Sequence, residues 1–197
     1  MNDTPIKIDA IHNYWRSPGE ENAPHTYARP AIGRSLFLVD RMREAVDPSA
    51  RILELGCNVG RNLAFLHHAG FKRLSGVEIN AEAIALGREL FPELKSARII
   101  HGTIEDTVQG LADDSHDLIY TMAVLEHLHT DSEWVFEQMT RIAPRILTIE
   151  DEATRSPRHF PRRYDTVFVA LGYIETAYAD RVPGLPKPFR CRLFQRP

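Results

Sequence analysis

Residues 51–62, RILELGCNVGRN, decide the fold. Five β-prone residues, RILEL, run into a turn that holds Gly56 and Gly60, and a helix-forming segment follows. A buried strand that feeds a helix through such a turn opens a sheet whose next strand lies parallel to it. Glycine lets the backbone approach a ligand and adopt positive φ, and Asn58, between the two glycines, is among the few other residues that tolerate the left-handed region. The turn is therefore read as a place where backbone meets ligand.

Working outward, further short β-prone runs stand at 73–79, 97–101, 116–121 and 145–150. Helical segments lie between them. Residues 60–69 end at Gly70, residues 81–91 start from an Asn80 cap and stop at Pro92, and residues 131–142 follow Thr130 with Glu133 three on, a capping box. Strands separated by helices of crossover length mean a parallel sheet covered on both faces. Tyr164, Val167, Phe168 and Leu171 form another helical stripe. The runs at 173–179 and 189–194 then follow with only the Pro-rich RVPGLPKP between them, so they form a hairpin and one strand runs antiparallel. The expected fold is α/β: a Rossmann-like three-layer sandwich around a seven-stranded, mostly parallel sheet with one antiparallel strand from the carboxyl-terminal hairpin.

With 197 residues, 43% of them hydrophobic, the chain can bury one sizeable core, and residues 1–197 are read as a single domain. Residues 1–30, rich in Pro, Asn and aromatic side chains, read as an irregular arm or lid, and 31–194 as the Rossmann-like core, beginning with a helix whose apolar residues from Ile32 to Val46 are spaced by three or four. No signal sequence and no membrane-length apolar run is found, and two cysteines, Cys57 and Cys191, are too few for a disulfide framework, so a cytoplasmic protein without membrane contact is expected. Residues 1–140 carry 13 basic and 21 acidic side chains and residues 141–197 carry 11 and 6, leaving the two parts at −8 and +5. That balance excludes general nucleic-acid affinity and leaves room for a local anion site near the carboxyl end.

Two acids sharpen the ligand. Glu78 closes the second strand 18 residues after Gly60, where a carboxylate accepts both hydroxyls of a ribose. Glu54, within the first strand, repels a pyrophosphate but suits a ligand with positive charge, such as a sulfonium and an amino group. A nucleoside without phosphates fits better than NAD.

The segments ELGCNVG (54–60), VEIN (77–80), HGTIED (101–106) and HDLIYTMAVLEHL (116–128), with the terminal hairpin, resemble a class I S-adenosylmethionine-dependent methyltransferase over roughly residues 31–194. The resemblance implies S-adenosyl-L-methionine as cofactor. It places Glu54, Gly56, Asn58 and Gly60 at the methionine end, Glu78 on the ribose, Ile79 and Ile104 on either side of adenine, and Met122 and Ala123 against the cofactor, with Cys57 and Asn62 as further cofactor-binding residues. Thr103 stands where an acid often accepts the adenine amino hydrogen, a bond a hydroxyl can also accept. Arg29 or Arg34 is expected on the methionine carboxylate, beneath a lid carrying Tyr14, Trp15 and Tyr27. The Asn/Asp-Pro-Pro-aromatic signature of enzymes that methylate exocyclic or amide nitrogens is absent, TMAV standing in its place. A small-molecule O- or N-acceptor is therefore expected.

Methyl transfer from a sulfonium needs alignment first and a base only when the nucleophile starts protonated. His127, Glu150 and Asp151 are the catalytic candidates at the strand ends, and no metal is expected, since the IEDE run is one segment and no Asp matches it on the fourth strand. The loop RSPRHFPRR, residues 155–163, supplies Arg158, His159, Arg162 and Arg163 as candidates for an anionic acceptor such as an acidic sugar or another biosynthetic intermediate. The acceptor pocket is expected between the arm, the 151–165 loop and the 180–188 hairpin. Two other readings remain: a non-catalytic protein that binds the cofactor or a partner, and an NAD-linked reductase.

Overall fold

The computed structural model of the protein describes residues 6–29 and 32–197. The expected boundary between arm and core, at residues 30 and 31, and the first five residues lie outside them. The sheet has seven strands: β1 (Arg51–Leu55), β2 (Arg73–Glu78), β3 (Arg98–His101), β4 (Leu118–Met122), β5 (Arg145–Asp151), β6 (Ile174–Ala179) and β7 (Phe189–Gln195). Their order is β3-β2-β1-β4-β5-β7-β6, and β7 alone runs opposite to the other six strands. The order reverses between β1 and β4, where the two strands leave a crevice at their carboxyl ends.

Each face of the sheet carries its own core, and strand parity assigns residues to it. Ile52 of β1, Tyr120 of β4 and Ile149 of β5 pack on one face with Leu38 and Met42 of α3 (Ile32–Ala45) and Leu63 and Leu66 of α4 (Arg61–His68). Leu53, Ile119 and Ile146 pack on the other with Val108 of α6 (Ile104–Gly110), Phe136 and Met139 of α7 (Trp134–Ile142) and Phe168 of α8 (Tyr164–Ala170). α5 (Ala81–Leu90) begins at the predicted Asn80 cap, whose side chain accepts from the amides of Glu82 and Ala83.

Two local expectations are corrected. The arm is not irregular: α1 (Ile8–Arg16) and α2 (Pro24–Ala28) form within it. Ile8, Ile11 and Trp15 sit three and four residues apart and give α1 one apolar face, a short pattern overshadowed by the Asn and Pro residues that follow it. The capping box at Thr130 does not form. His129 caps a single 3-10 turn through Asp131, and α7 starts at Trp134 with no side-chain cap, because Glu133 pairs with Arg162 instead. The helix α6, unmarked by any long apolar stripe, is capped by Thr103.

Candidate active site

The turn after β1 is built as its sequence requires. Gly56 and Gly60 both sit at φ 71° and Asn58 at φ 49°, three left-handed positions within five residues. Asn58 fits because its Oδ1 accepts the next amide, Val59 N–H, at 2.8 Å, and its own N–H donates to Glu78 Oε2 at 2.7 Å. The other Glu78 oxygen accepts the Asn80 N–H at 2.8 Å. Glu78 thus ties the ends of β1 and β2 together and retains lone pairs for a ligand. Burial raises its pKa, opposed by these backbone amides.

A cavity of about 170 Å³ opens over this turn at the carboxyl ends of β1, β2 and β4. Glu54, Gly56, Cys57, Asn58, Asn62, Glu78, Ile79, Thr103, Ile104, Met122 and Ala123 all line it. Gly60 does not; it turns the chain into α4 and lies against Leu94. Cys57 is buried, and burial pushes its thiol well above the usual range, so it is no nucleophile. Thr103 Oγ1 already accepts the Asp106 amide, which leaves one lone pair and its hydrogen for a ligand.

Glu54 is 2% exposed. One of its oxygens takes a 3.3 Å bond from Asn62 and the other has no partner among the described residues. Burial pushes its pKa up to about 8, opposed by the neighbouring Tyr120 hydroxyl and Asn62 amide. A buried acid with a vacant lone pair fits a cationic ligand group, which would restore its charge. Gly56, whose Cβ would strike Val124 at 2.5 Å, keeps the turn slim beside it.

The arm forms the remaining wall. Trp15 and Tyr27 line the cavity with Ile8, Ile11 and Pro18, whereas Tyr14 lies outside, under the Arg158 guanidinium at 3.9 Å. Arg34 lines the cavity and its Nε has no partner among the described residues. Arg29 is not on the cavity; its carbonyl, with that of Tyr27, accepts from Arg61. Sequence reasoning missed Arg61, whose signal is a cation at the first position of a helix, a place unfavourable to positive charge without partners. It also missed His12, which lines the cavity and bonds Glu105 of α6 at 3.1 Å, latching α1 to the core.

Of the catalytic candidates, only His127 faces the cavity. Its Nδ1 lies 2.8 Å from the Arg158 carbonyl, which can only accept, so Nδ1 carries the hydrogen and Nε2 bears a free lone pair. The ring packs between Trp15 at 4.7 Å and His159 at 4.5 Å. Burial drives its pKa down to about 4, against the opposing pull of the Arg158 carbonyl. Glu150 shares the parity of Ile146 and points to the opposite face of the sheet, where it is fully buried. Asp151 accepts the amides of Ala153 and Thr154 at 2.8 and 2.9 Å, closing a loop; burial alone would raise its pKa, and these bonds hold it below the ordinary value. Neither acid reaches the cavity.

The arginine-rich loop is corrected likewise. No residue of 151–165 or 180–188 lines the cavity. Arg162 donates to four backbone carbonyls and pairs with Glu133, while Arg163 pairs with Asp165 beside a separate groove on β6. His159 bonds Ser156, and it and Arg158 approach the site only through His127 and the arm. His129 is structural: Nε2 donates to the Ile6 carbonyl and Nδ1 accepts from Asp131. Among the described residues no helix is long and apolar enough to cross a membrane, and no cluster of three His, Cys, Asp or Glu is placed to hold a metal ion.

Comparison with known proteins agrees with this geometry. Residues 53–144 match the family model of a methyltransferase domain. An O-methyltransferase of Pyrenophora dematioidea is 25% identical over 128 residues, 64% of this chain and 46% of that protein, so the chain spans about half the length of this curated relative. Magnesium protoporphyrin IX methyltransferase from Synechocystis, solved with bound S-adenosylhomocysteine, superposes with a TM-score of 0.74 at 13% identity, covering 96% of this chain and 99% of that one. A TehB-like S-adenosylmethionine-dependent methyltransferase from Corynebacterium glutamicum gives 0.64 at 21% identity over 87% and 92%. Residues 53–144 are thus similar to a methyltransferase domain, and the sheet order β3-β2-β1-β4-β5-β7-β6 with the glycine turn at its switch point is the fold shared with these solved S-adenosylmethionine-dependent methyltransferases.

Proposed function

We propose that this protein transfers the methyl group of S-adenosylmethionine to an oxygen or nitrogen of a small-molecule acceptor. The observation that carries the reading is that one cavity is lined by the acids Glu54 and Glu78 and by His127, whose ring is held at Nδ1 by the Arg158 carbonyl. The cofactor supplies an electrophilic methyl on a positive sulfur. Glu78 receives the ribose hydroxyls, Ile79 and Ile104 flank the adenine, Glu54 meets the amino end, and Arg34, a lining cation whose Nε has no partner among the described residues, takes the carboxylate.

His127 then acts on the acceptor. As the acceptor atom bonds the methyl carbon and the carbon–sulfur bond breaks, the proton of a hydroxyl or amine becomes strongly acidic and passes to Nε2. A weak base is enough at that stage, because the proton leaves an oxonium or ammonium rather than a neutral group. Trp15 Nε1 is a buried donor without a partner among the described residues and suits an acceptor oxygen. The wall beside it, Pro18 and Leu128, is apolar and favours a compact, partly apolar acceptor. An anionic sugar or similar intermediate docked on Arg162 and Arg163 draws no support from their position.

The test is transfer of labelled methyl from S-adenosylmethionine to a panel of small hydroxyl and amine compounds, followed as a mass gain in the product. His127→Ala should lower kcat by about 100-fold, the usual scale for a general base, and leave S-adenosylhomocysteine affinity near wild type. Undiminished turnover in that variant removes His127 from the chemistry. Tight cofactor binding with no transfer to any compound class favours the non-catalytic binding protein.

A further inference from the structure

The loop after β4, which carries His127, is gripped from two sides by groups of opposite charge. Glu150 Oε2 accepts the N–H groups of Val124 at 2.9 Å, Leu125 at 2.8 Å and Glu126 at 3.4 Å. On the carbonyl side, the Arg162 guanidinium donates to Leu125 at 3.2 Å, Leu128 at 3.0 Å and His129 at 3.3 Å. Phe160 N–H adds a 2.6 Å bond to the Glu126 carbonyl, so the segment whose Arg158 carbonyl holds His127 is fastened to the same loop. Both gripping side chains are withdrawn from the cavity: Glu150 is 0% exposed and the Arg162 side chain 9%.

We propose that Glu150 and Arg162 are positioning residues that fix the ring orientation and tautomer of His127 through the backbone of residues 124–129, without touching cofactor or acceptor. The inference rests on His127 facing the acceptor, but its test does not require turnover. Two further observations carry it. Ala123, at the entrance to the loop, sits at φ 58°, a conformation costly for a residue with a Cβ that persists only where surrounding bonds over-determine it. And Glu150 has no ion-pair partner among the described residues; its close neighbour is Glu126, also buried. Burial raises both carboxyls, and repulsion from Glu150 raises Glu126 further, while Glu150 Oε2 takes the three loop amides.

The experiment is histidine-15N labelling of the full chain with the ring nitrogens of His127 followed against pH. In wild type, Nδ1 is protonated, Nε2 is bare, and the ring stays neutral down to about pH 4. In Glu150→Ala, the single tautomer should be lost and the titration midpoint should rise by at least about one pH unit as the ring leaves its buried bond. Glu150→Gln should keep the wild-type spectrum, since its carbonyl can accept the amides and its NH2 can donate to Glu126. Arg162→Met should shift His127 in the same direction, and Arg162→Lys should restore it in part, a point charge being unable to reach three carbonyls at once. If Glu150→Ala does not fold, the Arg162 pair decides. Wild-type His127 spectra in folded Glu150→Ala or Arg162→Met overturn the proposal, whatever the turnover. Shifted spectra together with undiminished activity of His127→Ala uphold the positioning and refute the base.

Discussion

Replacing Glu54 with Gln removes one charge at the floor of the cavity, and the consequence can be worked from its burial. With a pKa of about 8, Glu54 holds a proton in about nine of ten free molecules at pH 7. A ligand amino group meets the ionised carboxylate, so binding must expel that proton. The apparent affinity for S-adenosylhomocysteine should therefore rise about ninefold from pH 6 to 7 and about fivefold more from 7 to 8, together about 2.3 kcal/mol, and level off above. Glu54→Gln keeps the bond to Asn62 in reach but cannot ionise, and the slope should vanish. Stability gives the opposite sign. The folded pKa lies above the ordinary carboxyl value of 4.5, so the contribution of Glu54 is fully present below about pH 4.5 and is lost as pH rises through 8. The free Glu54→Gln protein should accordingly gain in melting temperature on wild type across that window. Calorimetry at pH 6, 7 and 8 in two buffers of different ionisation enthalpy counts the proton directly. A pH-independent wild-type affinity, or an equal slope in Glu54→Gln, refutes the reasoning.

Asn58→Gly should preserve fold and cofactor binding, while Asn58→Val should harm both, because a β-branched residue resists φ 49°; thermal melts with and without S-adenosylhomocysteine separate the two. Arg162→Ala should lower stability by about 2–4 kcal/mol in urea unfolding, since it leaves buried carbonyls unpaired, whereas Arg163→Ala, exposed and paired with its neighbour Asp165, should leave the unfolding midpoint at the wild-type value. His12→Ala should loosen α1 from Glu105 and appear as faster amide exchange in residues 8–16, with the sheet unchanged.

The sheet was legible because each of its strands is a short β-prone run, and because the hairpin leaves no helix between its last two. The turn was legible because glycines and a tolerant Asn specify backbone angles locally. The arm was misread: α1 is nine residues long, and its apolar face becomes meaningful only against the cavity it covers. The acids that close β5 and the arginines after it were misassigned for another reason. Composition and position place charge near the ligand side of a sheet, but strand parity sends Glu150 to the other face, and Arg162 is consumed by carbonyls distant in sequence. A residue's partners are a product of the fold, and its type alone does not announce them.

The most direct measurement is titration calorimetry of S-adenosylhomocysteine into the full chain and into Glu78→Ala. The account predicts one site of micromolar affinity, no heat from NAD, and a loss of about 1.5–3 kcal/mol in Glu78→Ala, the scale of hydrogen bonds to a charged group. Because Glu78 also accepts the amides of Asn58 and Asn80, the variant is melted in parallel to establish that it is folded. Absence of binding, or a folded Glu78→Ala protein that binds as tightly as wild type, would contradict the assignment of this cavity to the cofactor.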